Sequence, residues 1–219
     1  MATAVVHLLR HGQVHNPDGV LYERLPNFHL SALGRQMAAR VAEYTKDFDL
    51  VHLRCSPLER AQETMEPVAA NHPRVDVITD PRVIEASNRL AGQAFAGKLS
   101  QVLRPSVLTK LYNPLRPSWG EPYALIVARM NAALHDAAEA ADGHEALIVS
   151  HQLPIWLTRR AAEGRRSVHD PRKRQATLCS LTSFTFVDGR ITRVDYAEPA
   201  RDLLPATNRA AQRKLVAGA

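Results

Sequence analysis

The sequence predicts an α/β fold, a three-layer α/β/α sandwich around a mostly parallel central sheet, and three observations carry that expectation. Short apolar runs such as Ala4-Val5-Val6 and Ala146-Leu147-Ile148-Val149 alternate with stretches of helical periodicity. Strands that alternate with helices form parallel sheets covered on both faces, and such strands read as continuous apolar runs. Near the end of the chain, Asp188-Gly189 separates two strand-like segments, the signal of an antiparallel hairpin.

Taken in order, residues 4 to 9 form a first strand, and the helix after Ser31 carries Leu33, Met37, Val41 and Tyr44 at helical spacing. Leu50 to Cys55 form a second strand, followed by a helix from Pro57 to about Ala70. Ser56 is suited to cap that helix, Pro57 to occupy its first position, and Glu59 to complete a capping box. Val75 to Ile78 are expected as a third strand, 98–112 as a helix, and Asn113 to Pro122 as a Pro-rich link. The next helix, about 123–141, shows the apolar stripe Ile126, Met130, Ala133, Leu134, Ala137, Ala141. Ala146 to Val149 form a strand, Pro154 opens a helix, and Leu178 to Val187 pairs with Arg190 to Tyr196.

A chain of 219 residues is long enough to bury a substantial single core. We expect one domain over 1–197 and a polar, Arg- and Ala-rich tail over 198–219. Cys55 and Cys179 lie far apart in apolar runs, so they read as buried free thiols and favour a reducing compartment. No signal peptide fits, because cleavage after the first apolar run would remove His11, and no stretch is apolar enough to cross a membrane. The expected location is the cytoplasm.

The chemistry is announced at the end of the first strand by Leu8-Leu9-Arg10-His11-Gly12. In open α/β sheets ligands bind at the carboxyl edge of the strands. A neutral imidazole there can attack a phosphoryl group while a neighbouring guanidinium holds its oxygens. Arg60 falls in the first turn of the second helix, beside unpaired amides and the positive end of the helix dipole, which suits phosphate. His151 repeats the placement of His11, directly after an apolar strand. A surface arginine or a structural histidine is the bland alternative for each alone; convergence of the strand ends on one anion is the simpler account of all of them.

Arg10-His11-Gly12, Ser56-Pro57-Leu58-Glu59-Arg60-Ala61-Gln62-Glu63-Thr64, Glu85 and Val149-Ser150-His151, in this order, resemble the motifs of the histidine phosphatase superfamily, which includes the cofactor-dependent phosphoglycerate mutases. The resemblance spans residue 5 to about 160 and implies a phosphoglycerate mutase-like fold. It implies His11 as nucleophile, Arg10, Arg60 and His151 as phosphoryl ligands, and Glu85 as the acid. A single carboxyl group with a raised pKa can protonate a leaving alkoxide and later accept a proton from water. The segment after Glu85 departs from the pattern, running Ala86-Ser87-Asn88-Arg89-Leu90-Ala91-Gly92, and pairing of Glu85 with Arg89 along a helix is the structural alternative. Gly12, Asn16, Arg24 and Gln152 are candidate substrate-binding residues; Asn16 lies one place before the family's phosphate-contacting asparagine, and Tyr22, Glu23 and Arg24 belong to the loop expected to face substrate.

His7, His11 and His15 recur every four residues, but a strand entering a loop does not bring such residues together, so no metal site is expected. Nor is any cofactor. The formal charge of +6 and the seven Lys/Arg between Arg159 and Arg174 read first as a solvated basic loop, second as a rim that attracts an anionic substrate, and third as a nucleic-acid surface, since no aromatic interleaving accompanies them. The expected partner is a small, anionic, phosphorylated substrate, without membrane or nucleic acid and with a homodimer left open. The function expected is a metal-independent phosphomonoester hydrolase acting through phosphohistidine; the alternatives are a phosphoglycerate mutase and a non-catalytic phosphoprotein-binding scaffold. The loop Gln13-Val14-His15-Asn16-Pro17 lacks the mutases' usual Glu-Ser and Trp-Asn pattern, which favours hydrolysis.

Overall fold

The computed structural model describes residues 3–88, 91–92 and 120–204. The helix expected at 98–112, link residues 113–119, Arg89 and the tail beyond 204 lie outside the described residues. The elements are β1 (Thr3–Arg10), α1 (Ala32–Thr45), β2 (Leu50–Cys55), α2 (Glu59–Asn71), β3 (Val77–Thr79), α3 (Tyr123–Ala141), β4 (Glu145–Ser150), α4 (Gln152–Ala162), β5 (Leu181–Val187) and β6 (Arg190–Ala197). Single 3-10 turns at Pro81–Val83, Pro171–Lys173 and Arg201–Leu203 complete the path.

The strands form one six-stranded sheet in the order β3-β2-β4-β1-β5-β6. Pairing is parallel from β3 through β1, and β5 and β6 add antiparallel strands at the far side. The sheet is thus mostly parallel with an antiparallel flank, as the sequence predicts. Asp188 and Gly189 both have positive φ, 49° and 73°, which closes the β5–β6 hairpin with the twist its strands need.

Alternation along each buried strand sends successive side chains into two separate cores. Ala146 and Ile148 of β4 pack with the α3 stripe and with Ile155 and Leu157 of α4. Leu147 and Val149 pack on the other face with Met37 and Val41 of α1 and Ala61, Met65 and Val68 of α2. Every residue of the predicted α3 stripe is buried.

Several local expectations need correction. Tyr44 is 48% exposed, and Ala38, Ala42 and Thr45 complete the buried face of α1 in its place; the Tyr44 ring instead meets Phe48 edge-on at 5.6 Å. Helix α2 starts at Glu59 with Leu58 as its cap, so Pro57 is not its first residue and Ser56 does not cap it. The Ser56 hydroxyl is engaged by His151, and Glu59 accepts from the Asn27 amide at 3.1 Å, which leaves no capping box. Helix α4 opens at Gln152, with Pro154 in its first turn where a missing amide costs nothing. The third strand spans Val77–Thr79, two residues later than expected at its start. The first residues of the supposed tail are packed, because Ala200 and Leu204 join the α1–α2 core.

Candidate active site

Strand register assembles the site. Arg10 pairs with Ser150 across β1 and β4, so the residues that follow, His11 and His151, leave the sheet side by side with ring centroids 5.1 Å apart. The His11 amide donates to the Ser150 carbonyl at 3.1 Å. On the other side of β4, Cys55 pairs with Val149, and Ser56 continues the ladder by donating its amide to the Val149 carbonyl at 3.0 Å. His11, Ser56 and His151 are all buried.

His11 leaves β1 through a tight backbone contact. A Cβ at Gly12 would stand 2.7 Å from the Gly34 carbonyl oxygen, and one at Gly34 would stand 2.0 Å from that of Gln13. Only glycine at both positions allows the loop to lie against the start of α1. The Gly12 amide donates to Thr64 Oγ1 at 3.1 Å, so it serves the scaffold. The Gly12 carbonyl, in contrast, faces His11 Nδ1 at 2.8 Å. A carbonyl can only accept, so Nδ1 carries the proton and Nε2 keeps a lone pair. Burial, with the charges of Arg10 and Arg60 behind it, lowers the His11 pKa well below the ordinary histidine value. His11 is therefore neutral at pH 7, with Nε2 unprotonated.

Arg60, fully buried in the first turn of α2, donates through Nη2 to the Glu23 carbonyl, and its guanidinium lies 4.7 Å from the centre of the Tyr22 ring. Arg10 donates through Nη1 to the Ala176 carbonyl at 2.7 Å. The remaining nitrogens are the informative ones. Arg10 Nε, Arg60 Nε, Arg60 Nη1 and His151 Nδ1 are buried and have no hydrogen-bond partner among the described residues. Buried donors are rarely left unmade, because each costs about 1–3 kcal/mol, more when charged.

Glu85 is held from several directions. Ser150 Oγ donates to the Val83 carbonyl at 2.7 Å, Arg129 Nη1 to the Ile84 carbonyl at 2.7 Å, and Arg24 Nε to the Glu85 carbonyl at 2.6 Å. Glu121 joins Arg24 at 2.8 Å and Arg129 at 2.9 Å, which locks these arginines as a bracket. Glu85 stands partly exposed at the cleft, yet desolvation of its carboxyl raises its pKa against the pull of the Ala86 amide and of Arg60, Arg10 and Arg174.

The cleft has a volume of about 350 Å³ and is lined by Arg10, His11, Glu23, Glu85, Gln152 and Arg174, among others. Of the sequence candidates, Arg10, His11, Arg60, Glu85 and His151 converge, and Gln152 lies on the wall. Asn16 does not join them: its amide closes on Val20 at 2.8 and 3.0 Å. Arg24 is spent on Glu85 and Glu121. Asp80 belongs to a separate ion pair with Arg54 at 2.6 Å. His7 is taken by Ser183 at 2.7 Å and Glu145 at 3.3 Å, and no group of metal-binding side chains occurs among the described residues.

Three features went unassigned in the sequence. Ser56 read as a helix cap, and only strand register reveals it as a neighbour of His151. Glu23 sits in the loop expected to face substrate; it lines the cleft with φ 37°, a strained backbone conformation for a bulky residue, and burial beside Glu85 raises its pKa to about 7. Arg174 turns inward from the basic run, donating to His169 at 2.9 Å and facing Glu85 and Glu23. Much of that run is consumed locally: Arg159 and Arg165 pair with Glu163, and Arg172 with Asp170. Cys55 and Cys179 are buried free thiols, and burial raises both pKa values, Cys179 to about 12. No helix among the described residues is long and apolar enough to cross a membrane.

Known proteins resemble this chain in sequence and in fold. The uncharacterized protein Rv0525 of Mycobacterium tuberculosis is 48% identical over 195 residues, covering 89% of this chain and 96% of that protein. The probable phosphoglycerate mutase GpmB of Proteus mirabilis is 29% identical over 153 residues, covering 68% and 70%. Among solved structures, the mycobacterial glucosyl-3-phosphoglycerate phosphatase Rv2419c superposes with a TM-score of 0.70 at 20% identity, over 90% of this chain and 98% of that one, a likeness of fold. The profile of the histidine phosphatase superfamily (branch 1) matches residues 6–199, and the chain belongs to that superfamily.

Proposed function

We propose that the protein is a metal-independent phosphomonoester hydrolase that works through a phosphohistidine on His11 Nε2. The observation that carries this reading is the ring of buried donors without partners, Arg10 Nε, Arg60 Nε and Nη1 and His151 Nδ1, gathered around a neutral histidine. A tetrahedral oxyanion supplies acceptors for all of them, and the arginines bring the positive charge that a dication would otherwise provide.

In the first step Nε2 of His11 attacks phosphorus in line with the departing oxygen. The N–P bond forms as the P–O bond breaks, and the Glu85 carboxyl gives its proton to the leaving oxygen. The Gly12 carbonyl, already bonded to Nδ1–H, stabilises the positive charge that the ring acquires. Water then attacks phosphorus and loses its proton to Glu85; the N–P bond breaks, and inorganic phosphate leaves a neutral His11. Arg174 and Glu23 give the leaving-group half of the cleft both signs of charge, which suits a small polar ester and makes an apolar one costly to bind.

A mutase is the second reading, favoured by the relation to GpmB, which is named a probable phosphoglycerate mutase. It shares the covalent chemistry but must keep water from the phosphohistidine until another hydroxyl collects the phosphoryl group. The product decides between them. With 3-phosphoglycerate and the bisphosphorylated primer, we expect inorganic phosphate as the main product, with activity surviving exhaustive chelation. Primer-dependent formation of 2-phosphoglycerate with negligible phosphate release would replace the hydrolase by the mutase. Binding without turnover of any phosphomonoester would leave only a scaffold.

A further inference from the structure

We propose that Ser56 sets the tautomer of His151: its hydroxyl gives its hydrogen to Nε2 and so keeps the ring proton on Nδ1, where a neutral imidazole can donate to the anion. This rests on the reading of the cleft as an oxyanion site.

The geometry leaves few choices. Ser56 Oγ and His151 Nε2 are 2.7 Å apart, with both residues fully buried. The Leu58 amide points at the same oxygen at 3.4 Å and, being an N–H, can only donate. If Nε2 also carried a proton, two donors would meet at Oγ and the hydroxyl hydrogen would have no acceptor among its described partners. The Nδ1 lone pair would then be aimed at the anion, two like partners face to face. With the hydroxyl donating to Nε2, Oγ accepts from Leu58, and Nδ1–H, which has no partner among the described residues, is free to donate.

The serine is fixed for this task at both main-chain ends. Its amide donates to the Val149 carbonyl at 3.0 Å, and its carbonyl accepts from Gln62 Nε2 at 2.7 Å. Burial, with the charges of Arg60 and Arg10 beside it, holds the His151 ring neutral, so it can donate from only one nitrogen, and the tautomer decides which. Ser56 touches neither the reacting atoms nor the anion; it is a positioning residue.

The test is nitrogen-detected NMR of the full chain with 15N-labelled histidine, with the His151 signals assigned by their loss in His151→Gln. In the free wild-type protein we expect a protonated Nδ1 and an unprotonated Nε2, and inorganic phosphate should shift Nδ1 the more. Ser56→Ala should turn this into a mixture of tautomers or into the Nε2–H form, and should lower kcat by about tenfold or more with a smaller change in KM. A wild-type ring protonated at Nε2 overturns the proposal even if Ser56→Ala fails to fold. So does an unchanged tautomer in a folded Ser56→Ala. Phosphate that binds without moving either ring nitrogen of His151 contradicts the oxyanion reading on which the proposal rests.

Discussion

His11 and His151 leave neighbouring parallel strands at paired positions, both buried, both neutral, both with one ring nitrogen engaged by the scaffold. They differ in which nitrogen is engaged and by what. The Gly12 carbonyl takes Nδ1–H of His11 and leaves a lone pair toward the cleft, whereas Ser56 takes Nε2 of His151 and leaves Nδ1 facing inward without a partner. In the mechanism we propose, the acceptor behind one ring leaves a nucleophile, and the hydroxyl behind the other leaves a hydrogen-bond donor. Position on the sheet does not distinguish the two histidines; the atom standing behind each ring does.

That asymmetry is open to direct attack. His11→Ala removes the attacking atom, and turnover should fall by about 10⁴-fold or more, with no phosphorylated enzyme formed. His151→Ala removes one donor to the developing charge, a change worth about 10²–10³-fold, and the slow variant should still form phosphoenzyme. Equal losses with no phosphoenzyme in either variant would erase the distinction.

Glu85 sharpens the comparison, because only the His11 step needs a proton delivered to the leaving group. Glu85→Gln should lower turnover of alkyl phosphates by about 10²–10⁴-fold, with much of the loss in phosphorylation recovered for aryl phosphates whose departing oxygen hardly needs a proton. Its pH dependence follows from the shifts. A lowered His11 pKa keeps the nucleophile unprotonated until well below pH 6.5, so the acid limb of kcat/KM should lie under that value. A raised Glu85 pKa means that activity falls at higher pH as the acid loses its proton, and this alkaline limb should vanish in Glu85→Gln. The same sign applies to stability: both histidines bind protons more readily unfolded than folded, so below pH 6.5 they favour unfolding progressively. The smallest effect is expected at Glu121, which reaches Glu85 through Arg24 and, by way of the neighbouring Ile84 carbonyl, through Arg129. Glu121→Gln should lower turnover of alkyl phosphates by about threefold to tenfold and leave aryl phosphates nearly unaffected. An equal loss on both would make Glu121 a general support of the cleft.

The fold was legible because apolar runs bounded by turn signals report burial directly, and the α3 stripe was readable residue by residue. Arg10, His11 and His151 were legible because a strand end is a local feature. Ser56 was misread for the opposite reason: Ser-Pro-Leu-Glu satisfies the local pattern of a capping box, while its true partner lies 95 residues away and is brought there by strand register. Asn16 looked available because its use by Val20 depends on loop shape. Arg174 was visible as charge, but the turn that points it into the cleft is not encoded in charge.

The central claim is that His11 Nε2 carries the phosphoryl group. Rapid alkaline quench of the enzyme during turnover of a 32P-labelled phosphomonoester, followed by peptide mapping, tests it directly. The label should be acid-labile and base-stable, should map to His11 and should be lost in His11→Ala. Label on another residue, or its persistence in His11→Ala with normal turnover, would contradict it.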